Sequence, residues 1–120
     1  MKHIILPALL LATNANAGLI EGYAGTVAAY YGLAGVNIIK ADIDRLHKAC
    51  GVYQQHACTN TDNSRVMVNR ALENHPARLL HVLCHEAAHV LQLRDGLPLG
   101  EVDANNRAEG CVAYVQGVQP

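Results

Sequence analysis

The 120-residue chain contains no tryptophan and no phenylalanine, so its five tyrosines are the only large aromatic residues. A core formed by this chain must therefore be mainly aliphatic. Serine occurs only at position 64, and a serine hydrolase would have to be built on Ser64 alone. The nine basic and ten acidic residues nearly cancel, to a net charge of −1, which excludes the broad basic surface expected of a protein that binds nucleic acid.

The first 17 residues have the features of a secretory signal peptide. Lys2 gives a positive start, and residues 4–12 form a short apolar run. Small residues, Ala15 and Ala17, stand three positions and one position before the expected cleavage site, as in signal peptides. The run is well short of the roughly 20 residues that cross a bilayer. We therefore expect a signal peptide at 1–17, a single domain at 18–120, and a secreted or periplasmic protein with no membrane span after cleavage. The alternative is an apolar helix that the mature protein keeps.

The cysteines are an even four, without the Cys-x-x-Cys spacing that is typical of thiolate zinc sites. In an exported chain such cysteines favour disulfides. We predict a bridge between Cys50 and Cys58, because the loop between them is short, and by elimination a second bridge between Cys84 and Cys111. The alternative is a zinc site with four thiolates.

The spacing of apolar residues predicts a mixture of helices and short strands. In chain order it predicts a helix over 19–31, a strand over 36–40, a short helix between Asp42 and Gly51, a strand over 65–69, and helices over 76–95 and 101–116. The strand over 65–69 is predicted either as an edge that pairs with an extended peptide or as an inner strand.

The helix over 76–95 has the clearest boundaries. Pro76 suits the first turn of a helix, because backbone N–H groups there have no partner within the helix and proline has no N–H. Gly96 suits the left-handed residue that follows a helix, and Pro98 prevents the helix from resuming. Only a short loop separates this helix from the next, so we expect the two to pack antiparallel.

This helix contains the run His85-Glu-Ala-Ala-His89. Two histidines four residues apart lie on one helical face, so both imidazoles can bind one metal ion. A catalytic zinc site takes three protein ligands and leaves one position open. The third ligand is expected from the following helix: we prefer Glu101, with Glu109 as its rival, and Asn105 would then hydrogen-bond to His85.

These two helices together resemble the zincin metallopeptidases of the gluzincin type. The resemblance rests on His85-Glu-Ala-Ala-His89 followed by Glu101-Val-Asp-Ala-Asn105, because in that family a "glutamate helix" supplies the third zinc ligand. It implies one Zn²⁺ held by both histidines and Glu101, with Glu86 as general base for a zinc-activated water and Asn105 in support.

The resemblance also implies a fold and an activity. The expected fold is α+β, a minimal zincin-like domain with a backing helix, a small sheet, the metal-binding helix and the glutamate helix. The expected activity is that of an exported metalloendopeptidase that hydrolyses peptides or proteins. This chain has no histidine after Glu101 to stabilise the oxyanion, and the possible substitutes are Tyr114, Arg107, His47 and Tyr53.

Two other functions remain open from the sequence. The first is a non-catalytic binding module in which zinc only fixes the helix pair, and it predicts a closed site with Asp103, Glu109 or Cys111 as a further ligand. The second is a zinc amidase that acts on cell-wall or other non-protein amides. The sequence does not determine the oligomeric state.

Overall fold

The computed structural model describes the backbone of residues 5–118 and the side chains of residues 18–117. Over these residues the chain is an α+β domain with four α-helices and one three-stranded sheet. None of the helices found there combines the length and apolarity needed to cross a membrane. The elements, in order, are α1 (Ile5–Tyr31), β1 (Ile38–Ala41), α2 (Ile43–Cys50), β2 (Ala57–Thr59), β3 (Val66–Asn69), a 3-10 helix (Arg70–Asn74), α3 (Pro76–Arg94) and α4 (Glu101–Val118).

Helix α1 is broken at Gly18, which has φ 88° and ψ 169°. Glycine tolerates this positive φ because it has no Cβ. Beyond the break, the backbone N–H of Ile20 donates to Glu73 Oε2 over 3.2 Å, so a carboxylate satisfies one of the free N–H groups at the start of this segment. The segment matches the helix predicted over 19–31. The predicted signal peptide lies before the break, its first four residues are outside the described residues, and its cleavage stays a prediction.

The predicted ends of α2 and α3 are confirmed. The Asp42 side chain accepts a hydrogen bond from the Arg45 N–H, and Gly51, with φ 104°, follows the last turn of α2. Pro76 stands in the first turn of α3, and Gly96 follows that helix with φ 68°. Helix α3 is one residue shorter than predicted, and α4 is two residues longer than the predicted 101–116.

The sheet has the strand order β1-β3-β2. Strand β3 pairs in parallel with β1 and antiparallel with β2, so it is an inner strand, and the prediction that it could be the free edge is wrong. Strand β2 was not predicted, and the reason is its length, since three residues are too few to establish an alternating pattern.

Helix α3 forms the centre of the core, with α1, α4 and β2 packed against it. Two of its buried leucines, Leu79 and Leu83, lie one turn apart on a face that is closed to solvent. The contacts between α3 and α4 run in opposite chain order, since His89 lies opposite Glu101 and His85 lies opposite Asn105. The two helices are therefore antiparallel, as predicted, and the loop between them brings the start of α4 to the middle of α3.

Candidate metal centre

The side chains of His85, His89 and Glu101 converge between α3 and α4. Glu101 Oε1 lies 2.9 Å from His85 Nε2, and Glu101 Oε2 lies 3.1 Å from His89 Nε2. One potential ligand atom from each residue falls within 4.8 Å of the other two. Ligand atoms that share one zinc ion in tetrahedral geometry lie roughly 3.3 Å apart, so this group could hold a metal ion after small side-chain adjustments.

The second ring nitrogen of each histidine is held by a side-chain amide oxygen. His85 Nδ1 lies 2.8 Å from Asn105 Oδ1, and His89 Nδ1 lies 2.8 Å from Gln92 Oε1. An amide oxygen only accepts, so Nδ1 is a donor in both rings, and Nε2 is the nitrogen that faces the Glu101 carboxylate. Both histidines thus present a metal-binding nitrogen toward Glu101.

Glu86 lies next to this group and is held by strand β2. The Thr59 hydroxyl donates a hydrogen bond to Glu86 Oε1 over 2.6 Å. Thr59 is the last residue of β2, so the side chain that the sequence predicts to be a general base is fixed between the sheet and α3. The Glu86 carboxylate keeps a second oxygen for an incoming proton donor.

A cavity of about 290 Å³ opens in front of these residues. Residues of β2, of α3, of the loop before α4 and of the first turn of α4 line it. Its polar lining offers hydroxyl, amide, imidazole and carboxylate groups to a bound molecule. The lining residues are Gln54, Ala57, Cys58, Thr59, Thr61, His85, Glu86, His89, Leu99 and Glu101.

The other predicted ligands stay outside the metal-binding group. Glu109 is exposed on α4 and does not join it. Cys111 is buried in a disulfide, and Asp103 accepts hydrogen bonds of 2.8 Å from both Gln92 and Arg107. These two donors hold the pKa of Asp103 below its ordinary value. Among the residues whose side chains are described, the group consequently offers three potential ligands and no fourth.

Both disulfides have the pairing that the sequence favoured. Cys50 is joined to Cys58, which fixes α2 to the strand that carries Thr59. Cys84 is joined to Cys111, which fixes the residue before His85 to α4. Each bridge therefore restrains an element that contributes residues to the site.

The residues considered for the oxyanion do not reach the cavity. Tyr114 packs against the Tyr30 ring with 5.3 Å between centroids, and Arg107 is paired with Asp103. His47 and Tyr53 are also absent from the lining, and the polar residues that line the cavity at and near β2 are Gln54, Thr59 and Thr61.

Two residues of the site, Thr59 and Gln92, were missed from the sequence. Gln92 had a usable signal, because a polar residue three positions after His89 falls on the buried side of an otherwise apolar helix. Thr59 had none, because its contact with Glu86 depends on a strand that the sequence does not reveal.

Comparison of the chain with protein-family models, with curated proteins and with solved structures finds no match.

Proposed function

We propose that this protein is an exported zinc-dependent peptidase of the gluzincin type, with a minimal zincin-like fold. The observation that supports it best is the convergence of His85 Nε2, His89 Nε2 and the Glu101 carboxylate beside Glu86. Two imidazoles and one carboxylate are a donor set of catalytic zinc sites, in which the remaining position serves water or substrate. Two disulfides agree with an oxidising compartment.

The proposed reaction is hydrolysis of a peptide bond. When bound, zinc supplies Lewis-acid activation of a water molecule and of the scissile carbonyl. Glu86 accepts the proton of the attacking water and then donates it to the leaving amine. Thr59 keeps one oxygen of that carboxylate occupied, so the other oxygen is the one that handles the proton.

The free edge of β2 supports a peptide as the substrate. Within the described residues β2 pairs only with β3, and residues Ala57, Cys58 and Thr59 all line the cavity. An extended peptide can add to such an edge through main-chain hydrogen bonds, with alternate side chains entering pockets. This edge would place a scissile bond over α3, beside Glu86.

A set of only three candidate ligands favours an enzyme over a structural zinc module. A closed site needs a fourth protein ligand, and in the described residues Asp103 and Cys111 are engaged in other bonds while Glu109 is remote from the group. A zinc amidase would use the same ligands, so the test includes both classes of substrate.

The decisive experiment uses the disulfide-intact protein and two variants. We expect one zinc per chain by metal analysis, and peptidase activity on an unstructured protein that a chelator abolishes and zinc restores. Glu86→Gln should keep the zinc and lose about 10²–10⁴-fold in turnover, the usual contribution of a general base. Glu109→Gln, a matched change on the exposed face of α4, should behave as wild type.

Three results would overturn the proposal. They are a folded protein that takes up no divalent ion in stoichiometric amount, an active Glu86→Gln variant, and hydrolysis of peptidoglycan fragments with none of peptides. The last result would assign the protein to the amidases.

A further inference from the structure

Gln92 is a polar side chain with no exposure to solvent, in the core between α3 and α4. Its amide makes three hydrogen bonds. Gln92 Oε1 lies 2.8 Å from His89 Nδ1, and Gln92 Nε2 donates to Asp103 Oδ2 over 2.8 Å and to the Gly100 carbonyl over 3.2 Å. A buried amide with all these partners satisfied is stable, whereas one with a missing partner is costly.

The partners of Gln92 allow only one orientation of its amide. The Asp103 carboxylate and the Gly100 carbonyl can only accept, so the NH₂ group must face them. The amide oxygen therefore faces His89, and His89 Nδ1 must carry a hydrogen. In the opposite orientation, the amide oxygen would face two other acceptors, the Asp103 carboxylate and the Gly100 carbonyl, with no hydrogen between them. The NH₂ group would then face His89.

The same amide also connects the two helices that carry the three candidate ligands. Gly100 and Asp103 stand on either side of Glu101 at the start of α4, while His89 is on α3. Arg107 donates to Asp103 Oδ2 over 2.8 Å from the next turn of α4, which holds that carboxylate toward Gln92. By contrast, the Asn105 that supports His85 is exposed and has no further protein partner among the contacts of the described side chains.

We propose that Gln92 is a positioning residue for the metal site, which both fixes His89 with its lone pair on Nε2 and locks the start of α4 so that Glu101 faces the histidines. The proposal rests on the proposed function only in taking these three residues as metal ligands. Gln92 acts through His89 and Asp103 and touches neither the ion nor the substrate. Metal ligands commonly depend on such supporting hydrogen bonds, whose loss costs roughly 10–100-fold in metal affinity.

The first test replaces Gln92 by methionine, which is of similar size and cannot make the three hydrogen bonds. In the metal-free protein at alkaline pH, long-range ¹H–¹⁵N NMR should show more of the His89 hydrogen on Nδ1 in the wild type than in Gln92→Met, because in that variant only the Glu101 carboxylate at Nε2 still accepts. Zinc affinity, from chelator competition, should fall about 10–100-fold. Gln116→Met, an exposed change on α4, should alter neither measurement.

A second pair of variants separates positioning from packing. Gln92→Glu keeps an acceptor for His89 but sets a carboxylate against Asp103, so zinc affinity should fall as in Gln92→Met. Adding Asp103→Asn supplies a donor in place of the repelling carboxylate, and the double variant should recover at least ten-fold of the lost affinity. A side chain that only fills space would give no such recovery.

Asp103→Ala tests the same network from the exposed side of α4, which keeps the test available if the buried changes prevent folding. It removes one acceptor and leaves the Gly100 carbonyl, so we expect a several-fold loss of zinc affinity, compared with none for Glu109→Ala.

Wild-type affinity and an unchanged His89 tautomer in folded Gln92→Met, or in Asp103→Ala if the former does not fold, would overturn the inference. If the wild type binds no metal, the proposed function fails, while the tautomer measurement still tests the role of Gln92.

Discussion

Thr59 Oγ1 donates to Glu86 Oε1 over 2.6 Å, and this bond joins the edge strand to the proposed general base. A hydrogen bond to a charged group contributes about 1.5–3 kcal/mol. Thr59→Val keeps the shape of the side chain and removes the bond, so the carboxylate loses its fixed position. We expect turnover to fall roughly ten-fold or more, with zinc content unchanged, in steady-state assays on peptide substrates.

Thr59→Ser is the matched control, because it restores the hydroxyl without the methyl group. It should recover most of the turnover lost in Thr59→Val. Equal rates for the valine variant and the wild type would show that the bond does not position Glu86 for the reaction.

Glu101 and Glu109 differ in their relation to the histidines, although both lie on α4. Glu101 contacts the two Nε2 atoms, whereas Glu109 is exposed two turns further along. Glu101→Gln should therefore lower zinc affinity by more than the roughly 10–100-fold that the loss of a supporting hydrogen bond costs. Chelator competition measures this, and Glu109→Gln serves as the control. The reverse ranking would transfer the ligand role to Glu109.

The parts of the site that the sequence predicted are those set by local rules. His85 and His89 share a face because of the helical period, and Pro76 and Gly96 mark the ends of α3 through backbone preferences. The position of Glu101 followed from the short loop, because few residues between antiparallel helices restrict which side chains can meet.

The parts that the sequence did not predict depend on contacts between distant segments. Strand β2 is too short to show a pattern, so neither the edge of the sheet nor the role of Thr59 was visible. The function of Gln92 depends on Gly100 and Asp103, which reach it only after α4 folds back on α3. A helical period identifies the buried position of Gln92, but it does not identify the partners of its amide.

The Cys84–Cys111 bridge should stabilise both the fold and the metal site. It closes a segment with a sequence separation of 27, and the chain-entropy argument assigns about 3–4 kcal/mol to a loop of that length. The double change Cys84→Ala with Cys111→Ala should lower the free energy of unfolding by at least this amount in urea denaturation. Zinc affinity should fall as well, because Cys84 directly precedes His85 and α4 carries Glu101.

The Cys50–Cys58 bridge gives the comparison for that prediction. For its sequence separation of 8, the chain-entropy argument gives a stabilisation of about 2–3 kcal/mol. This bridge restrains strand β2, which carries Thr59 but none of the proposed metal ligands. Cys50→Ala with Cys58→Ala should therefore lower turnover more than zinc affinity. Equal losses of zinc affinity in the two double variants would contradict the separate roles of the two bridges.

Tyr31 should make the fold sensitive to alkaline pH. Its hydroxyl donates to the Cys84 carbonyl over 2.9 Å in the core. Burial raises the pKa of Tyr31 above its ordinary value, Tyr30 and Asp103 raise it further, and Arg107 lowers it in part. Because the pKa is higher in the folded than in the unfolded state, the stabilisation is complete below the unfolded value of about 10 and is lost as pH rises above it.

Tyr31→Phe removes both the hydrogen bond and this titration. At pH 7 we expect the variant to be less stable by about 0.5–1.5 kcal/mol, the net contribution of one hydrogen bond. From about pH 10 to roughly 11 the wild type should lose stability faster than the variant, so that the two free energies of unfolding converge. Urea denaturation across this range measures the difference. Tyr53→Phe, which alters a side chain that is 93% exposed, should follow the wild-type curve, and parallel curves for Tyr31→Phe and the wild type would contradict the buried titration.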